Sequence, residues 1–196
     1  MPRLILASTS PYRRALLERL GLPFAVRAPQ IEEAPQSGEA PDQTARRLAE
    51  SKARAVAQEF PLGLVIGSDQ VAELDGTPIN KPITHAKALA QLQAMRGREV
   101  VFHSALAVLD AATGWLQVDS VPTRVVFREL PDADLDRYLR LEQPYDCAGS
   151  AKVEGLGIAL LARVDSTDPT ALIGLPLIRL TEMLRTAGLD PLAATT

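Results

Sequence analysis

The 196-residue sequence predicts a mixed α/β domain, and two observations lead to that fold class. Short apolar runs with the length of buried strands alternate along the chain with amphipathic stretches at helical spacing. Two longer segments, residues 99–109 and 115–127, predict an antiparallel pair of strands joined by a turn. Because domains contain roughly 100–200 residues, we expect one domain over residues 1–196.

The individual elements are predicted in order from apolar spacing, helix caps and turn residues. The first strand leads into a helix that Ser10 caps, Pro11 begins and Gly21 ends. An Asp75-Gly76 pair predicts a tight turn after the central strand. Besides the long pair, strands are predicted at residues 3–7, 24–27, 64–68 and 158–164, and helices at residues 10–21, 43–59, 84–97, from 131 onward and 176–187.

Composition and charge argue against several classes of protein. With 21 Lys and Arg against 24 Asp and Glu, the net charge of −3 disfavours a protein that coats nucleic acid or an anionic membrane. It does not exclude a local cationic pocket. One Cys and two His exclude an internal disulfide and a Cys/His zinc site, so a divalent metal would need carboxylate and phosphate oxygens. Such oxygens favour a magnesium-like ion.

Targeting and membrane signals are missing from the sequence. No apolar run approaches the roughly 18 residues of a transmembrane helix. Residues 1–6 are apolar but too few for the core of a signal peptide. The single cysteine, Cys147, agrees with a reducing compartment. We therefore expect a cytoplasmic protein.

The junction between the first strand and helix carries polar and cationic side chains. Ser8 and Ser10 supply hydroxyls, Arg13 and Arg14 supply forked cations, and the helix N-terminus supplies backbone N–H groups. This combination suits a polyphosphate, although the glycine pattern of a P-loop is absent. The alternative is a plain capped helix with solvated arginines, but two arginines in the first turn oppose the helix dipole.

Four more charged residues have both a functional and a structural interpretation. Lys52 lies within the apolar stripe of the second helix, so its ammonium either reaches an anion or extends to the edge. Asp69 follows a buried strand, where it could hold a metal, activate water or simply form a turn. Lys81 precedes a proline, which favours an extended backbone at Lys81 and could direct its side chain into a cleft. Glu33 is either an additional carboxylate of the site or a solvated surface residue.

A set of short motifs occurs in one order from the start of the chain to about residue 177. They are LILASTSP at 4–11 with RR at 13–14, ESKA at 50–53, GSDQV at 67–71, KP at 81–82, CAGS at 147–150, EG at 154–155 and GLP at 174–176. In this combination the sequence resembles the Maf-like nucleotide pyrophosphatases. The resemblance implies an elongated, Maf/ITPase-like fold of two lobes around a cleft, a homodimer, a divalent cation (Mg²⁺ or Mn²⁺) and hydrolysis of nucleoside triphosphates to monophosphates and pyrophosphate.

The resemblance also implies a role for each matching residue. Asp69 is the expected general base, and Asp69 with Glu33 is expected at the metal. The residues expected to cradle the triphosphate are Ser8, Ser10, Arg13, Arg14, Lys52 and Lys81.

The residues expected to select the base indicate the branch of the family that acts on 7-methyl-GTP. They are Tyr12, Gln70, and Glu154, which stands where the dTTP/UTP branch carries Gln. Methylation at N7 leaves a positive charge on guanine, which the face of Tyr12 can attract and the carboxylate of Glu154 can balance. Ser104 receives no role from the resemblance.

Two other functions stay open at this point. One is a dTTP/UTP pyrophosphatase of the same family, against which Tyr12 and Glu154 argue. The other is a non-enzymatic nucleotide- or nucleic-acid-binding regulator of cell division. An aromatic content of 4% and the acidic balance argue against nucleic acid as a partner.

Overall fold

A computed structural model describes residues 3–193 of the chain. The strands are β1 Arg3–Ala7, β2 Phe24–Arg27, β3 Gly63–Leu74, β4 Thr77–Ile79, β5 Glu99–Asp110, β6 Leu116–Phe127 and β7 Leu161–Ser166. The helices are α1 Pro11–Glu18, α2 Pro41–Ala57, α3 His85–Met95, α4 Asp132–Glu142 and α5 Leu177–Thr186, with short 3₁₀ turns at Ala148–Ser150, Leu156–Leu160 and Ala171–Ile173.

The seven strands form one mixed sheet, which confirms the predicted fold class. Its order is β2-β1-β3-β5-β6-β7, with β4 paired to β3 outside this path. Strand β1 runs parallel to both β2 and β3, and the β5–β6 pair is the long antiparallel hairpin that the sequence predicts. The parallel part of the sheet is covered by helices, as such sheets require.

Strand β3 differs from its predicted bounds in a way that matters for the site. The sequence predicts a strand that ends before Asp69, whereas β3 continues to Leu74 with Asp69 inside it. On one edge β3 pairs in parallel with β1 as far as Gly67 and with β4 from Ala72, while on the other edge it pairs with β5 from Leu64 to Glu73. Asp69 therefore lies just beyond the carboxyl end of the parallel pair, although it is not at a strand exit.

Helices pack on the sheet in three buried clusters. Helices α1 and α5 contribute leucines and a methionine to the cluster over β1, β3 and β5, and α3 and α4 pack over β5 and β6. Helix α2 contributes alanines and a valine to the third cluster. Of the helices within residues 3–193, none is long and apolar enough to cross a membrane. Met1 and Pro2, which belong to the N-terminal segment in which the sequence shows no signal peptide, lie outside the described residues.

Candidate active site

A cavity of about 650 Å³ brings together side chains that are distant in sequence. It is bounded by the N-terminus of α1, the middle of α2, β3, β4 and the segment between α4 and β7. All but one of the predicted site residues line it: Ser8, Ser10, Tyr12, Arg13, Glu33, Lys52, Asp69, Gln70, Lys81 and Glu154.

Arg14 is the predicted site residue that lies elsewhere among those the structure describes. Its side chain is exposed and its Nε donates to Glu18 Oε1 at 3.0 Å, one helical turn away. The role of Arg14 toward a triphosphate stays a prediction.

The start of α1 is fixed by the two serines that the sequence singles out. Ser10 Oγ caps the helix by accepting from the backbone N of Arg13 at 3.4 Å. Ser8 Oγ in turn accepts from the backbone N of Ser10 at 3.1 Å. Because both hydroxyls and the following residues line the cavity, the helix presents its electropositive end to that space.

Lys52 forms the centre of a cluster of opposite charges. Its Nζ lies 2.6 Å from Asp69 Oδ1 and 2.8 Å from Glu33 Oε1. The side chains of Lys52 and Asp69 are only 7% and 12% exposed, whereas that of Glu33 is 58% exposed. The ammonium therefore meets anions inside the protein rather than extending to the edge, which decides between the two interpretations of this lysine.

The other cations of the cavity act on the same carboxylates. Burial raises the pKa of Glu33, but the hydrogen bond from Lys52 and the charges of Lys52, Lys81 and Arg13 outweigh it and lower that pKa overall. Burial lowers the pKa of Arg13 despite the opposing influence of Asp69 and Glu33. The three cations thus stabilise the ionised carboxylate of Glu33.

A glycine on β3 allows this cluster to form. A Cβ on Gly67 would lie 2.0 Å from the carbonyl oxygen of Ala49 and 2.8 Å from the backbone N of Ala53. These alanines flank Lys52 on α2, and their small side chains are fully buried against the sheet. The close approach of helix and strand brings Lys52 within reach of Asp69, two residues after Gly67.

A second group of the side chains that line the cavity is aromatic or acidic. It consists of Tyr12, Phe102, Asp146 and Glu154. Lys152, the nearby cation, is held by Glu142 Oε1 at 2.9 Å from its Nζ. Desolvation raises the pKa of Glu154, and burial together with the neighbouring Cys147 raises that of Tyr12. This group offers an aromatic face and acceptors to a ligand.

Gln70 lines the cavity but its side-chain nitrogen is used within the protein. Its Nε2 lies 2.8 Å from Ser104 Oγ, 3.2 Å from the carbonyl oxygen of Ala171 and 3.0 Å from that of Leu172. Ser104 Oγ donates to the Ala171 carbonyl at 2.6 Å. Gln70 and Ser104 therefore fasten the 171–172 segment to the sheet, and the contact of Gln70 with a base stays a prediction.

The carboxylates of the cavity suit a divalent cation only in combination with phosphate oxygens. Within residues 3–193, no three His, Cys, Asp or Glu side chains come together as a metal-binding group. The oxygens of Asp69 and Glu33 nevertheless converge on one point, which Lys52 Nζ occupies. One or two carboxylates completed by phosphate oxygens is the usual protein environment of Mg²⁺, so this donor set fits such an ion bound together with a polyphosphate.

Some residues of the site are not found by reasoning from the sequence. Ser68 is fully buried and its Oγ donates to the carbonyl oxygen of Gly174 at 2.9 Å. Arg13 Nε donates to the same oxygen, also at 2.9 Å. The Gly174-Leu175-Pro176 motif and the position of Ser68 beside Asp69 are visible in the sequence, but nothing in their spacing connects them to Arg13.

Comparison with known proteins places the chain among relatives of similar length. Residues 3–187 match the family model described as Maf-like protein. A 7-methyl-GTP pyrophosphatase of Methylobacillus flagellatus is 61% identical over 97% of this chain and 99% of its own. Proteins of the same name from Burkholderia lata and Cupriavidus metallidurans are each 65% identical, over 100% and 95% of this chain and 94% of their own.

Among solved structures, the chain is similar to the Staphylococcus aureus Ham1 protein, with a TM-score of 0.47 and 14% identity over 65% of this chain and 72% of the other. The family match over residues 3–187 and the near full-length identity to the three relatives are decisive. The chain belongs to the Maf-like protein family.

Proposed function

We propose that this protein is a pyrophosphatase that hydrolyses 7-methyl-GTP to 7-methyl-GMP and pyrophosphate. The observation that carries the proposal is one cavity lined by two chemically different groups of side chains. Lys52, Arg13 and Asp69 suit a triphosphate, and Tyr12 and Glu154 suit a cationic base. Full-length relatives at 58–65% identity bear this activity in their names.

The proposed reaction transfers the α-phosphoryl group to water. Asp69 accepts a proton from water as the water oxygen bonds to the α-phosphorus, and the bond from that phosphorus to the bridging oxygen of the β-phosphate breaks. Pyrophosphate leaves with the electron pair of that bond. Lys52 and Arg13 lie where they can stabilise the negative charge that develops on the leaving group, and Lys81 adds a third cation.

The base is selected by charge as well as by shape. An aromatic face attracts a cation by about 0.5–2 kcal/mol, which favours methylated over unmethylated guanine at Tyr12. The carboxylate of Glu154 balances the same positive charge and accepts from the N–H groups on the Watson–Crick edge. A neutral glutamine at this position would accept from those N–H groups but would not balance the positive charge.

The proposal includes Mg²⁺ or Mn²⁺ held by Asp69 and Glu33 together with the substrate's phosphates. A bound divalent ion would supply charge neutralisation and polarisation of the phosphoryl group. Lys52 bridges the two carboxylates by its ion pairs with Glu33 and Asp69. We also propose a homodimer located in the cytoplasm, built from single domains of two lobes.

Release of pyrophosphate tests the proposed function. Wild-type protein with Mg²⁺ or Mn²⁺ is expected to release pyrophosphate from 7-methyl-GTP faster than from dTTP or UTP. Asp69→Asn keeps the volume of the side chain but removes the base, and we expect a loss of at least about 100-fold, within the range of general base catalysis. Asp75→Asn, on the exposed turn between β3 and β4, is the matched control. Equal release by wild type and Asp69→Asn, or faster release from dTTP or UTP, contradicts the proposal.

A further inference from the structure

The carbonyl oxygen of Gly174 connects two residues from different elements, one on α1 and one on β3. It accepts from Arg13 Nε on α1 and from Ser68 Oγ on β3, both at 2.9 Å. A carbonyl oxygen has two lone pairs, so these two donors satisfy it. Ser68 has no exposed surface, and its neighbour in the chain is Asp69.

The Gly174 carbonyl is held in place by a network of its own. Gly174 has φ +111°, a conformation that residues with a side chain rarely adopt. Asp168, which is almost fully buried, accepts from the backbone N of Thr170 at 2.9 Å and of Ile178 at 2.7 Å. Thr170 Oγ1 accepts from the backbone N of Leu177 at 2.8 Å. The segment that presents the carbonyl is therefore fastened on both sides of Gly174.

This geometry uses one edge of the Arg13 guanidinium and leaves another for a ligand. Across residues 3–193, the side-chain hydrogen bond of Arg13 runs through Nε alone. A guanidinium has five N–H donors in a rigid fork, so fixing Nε also fixes the direction of the terminal nitrogens. Those nitrogens can then bind phosphate oxygens in the bidentate manner that arginine favours.

We propose that Ser68, acting through the Gly174 carbonyl, is a positioning residue for Arg13. Ser68 holds the carbonyl on the side of β3, the carbonyl holds Arg13 Nε, and the terminal nitrogens face the polyphosphate. Because Ser68 touches no phosphate in this scheme, its effect must pass through the guanidinium. The inference rests on the proposed function only in taking Arg13 as a ligand of the triphosphate.

A double-mutant cycle between Ser68→Ala and Arg13→Lys tests the positioning role. The binding readout is the affinity for inorganic triphosphate by calorimetry, and the activity readout is kcat/KM for pyrophosphate release from 7-methyl-GTP. In the wild-type background, Ser68→Ala is expected to lower both by about tenfold, the order that follows when a hydrogen bond orienting a charged group is lost. A lysine has no Nε–H to orient, so Ser68→Ala should change either quantity by less than about twofold in the Arg13→Lys background.

A control separates positioning from a general loss of stability. Tyr138 is almost fully buried on α4, does not line the cavity, and its hydroxyl accepts from the backbone N of Lys152 at 3.0 Å. Tyr138→Phe removes a buried hydroxyl just as Ser68→Ala does, and it should lower the thermal midpoint without changing triphosphate affinity.

The outcomes distinguish this inference from the proposed function. Equal losses from Ser68→Ala in both backgrounds, or no loss in either, overturn the positioning role. Failure of the wild type to release pyrophosphate overturns the proposed function, while the cycle in triphosphate affinity still decides the role of Ser68. Loss of triphosphate affinity in Tyr138→Phe equal to that in Ser68→Ala would also contradict the inference.

Discussion

Replacing Gly67 with alanine should separate the position of Lys52 from its chemistry. The added methyl group would lie 2.0 Å from the carbonyl oxygen of Ala49, and real Cβ atoms essentially never come closer than 3.0 Å to such an atom. Helix α2 and strand β3 must therefore move apart by about 1 Å, the difference between these two distances. Because both obstacles, Ala49 O and Ala53 N, belong to the helix backbone, no side-chain rotation can relieve the contact.

The movement has one consequence for stability and another for activity. Overpacking a well-packed interior costs about 1–3 kcal/mol, which a domain with a stability of about 5–15 kcal/mol survives. Lys52 lies between the two displaced alanines, so its 2.6 Å contact with Asp69 stretches with the helix. A misplacement of about 1 Å in an active site can cost about 100-fold in rate, and we expect a loss of that order in kcat/KM for Gly67→Ala.

Gly63→Ala is the matched control on the same strand. A methyl group there would lie 2.4 Å from Cδ1 of Ile5 and 3.1 Å from Cβ and the carbonyl oxygen of Phe60, and neither residue lines the cavity. It should lower the thermal midpoint but keep kcat/KM within about threefold, because the strain falls on residues outside the cavity. Pyrophosphate release and thermal unfolding would be measured on both variants. Full activity in a folded Gly67→Ala, or equal losses of activity in the two variants, would refute the reasoning.

Three further predictions concern single side chains, of which Glu154 and Tyr12 line the cavity and Glu39 does not. Because the pKa of Glu154 is raised, the preference for 7-methyl-GTP over GTP should fall as the pH is lowered toward that raised pKa. Glu154→Gln should have a smaller preference that no longer varies with pH. Steady-state kinetics at a series of pH values would contradict this prediction if the wild-type preference stays constant. Tyr12→Trp should lower KM for 7-methyl-GTP by about two- to tenfold without lowering that for GTP, since indole attracts cations best, and an equal change for both substrates would exclude a cation–π contact. The hydrogen bond from Arg47 lowers the pKa of Glu39 to about 2. Glu39 should therefore stabilise the protein above its ordinary pKa of 4.5 and lose that effect as the pH falls toward 2. The thermal midpoints of wild type and Glu39→Gln should converge over that range, and midpoints that stay parallel would contradict the prediction.

Local chemistry explains why part of the site is predictable from the sequence. The Ser10 cap, the proline after it and the arginines within the first turn are neighbours along the chain, so their meeting at one helix end follows from helix geometry. The buried position of Lys52 follows from the apolar stripe of α2 in the same way. Arginines against the helix dipole are also informative, since the structure accounts for each: Arg13 lies in the cavity and Arg14 pairs with Glu18.

Contacts between distant segments could not be predicted in this manner. The bounds of β3 were wrong because residues 69–71 join its two halves through pairing with β5, which is distant in sequence and which no local pattern reveals. Ser68 and Gly174 are 106 residues apart, and their link with Arg13 exists only in the folded sheet. Gln70 shows the same limit, since residues 171–172 hold its amide nitrogen.

Discrimination between methylated and unmethylated guanine tests the central claim most directly. The two substrates, 7-methyl-GTP and GTP, share the same triphosphate, so the cations of the cavity treat them alike and the difference reports on Tyr12 and Glu154. From a cation–π attraction of about 0.5–2 kcal/mol and the added carboxylate, we predict that kcat/KM for pyrophosphate release is about tenfold higher for 7-methyl-GTP than for GTP. Equal values for the two substrates, or a higher value for GTP, would contradict the account.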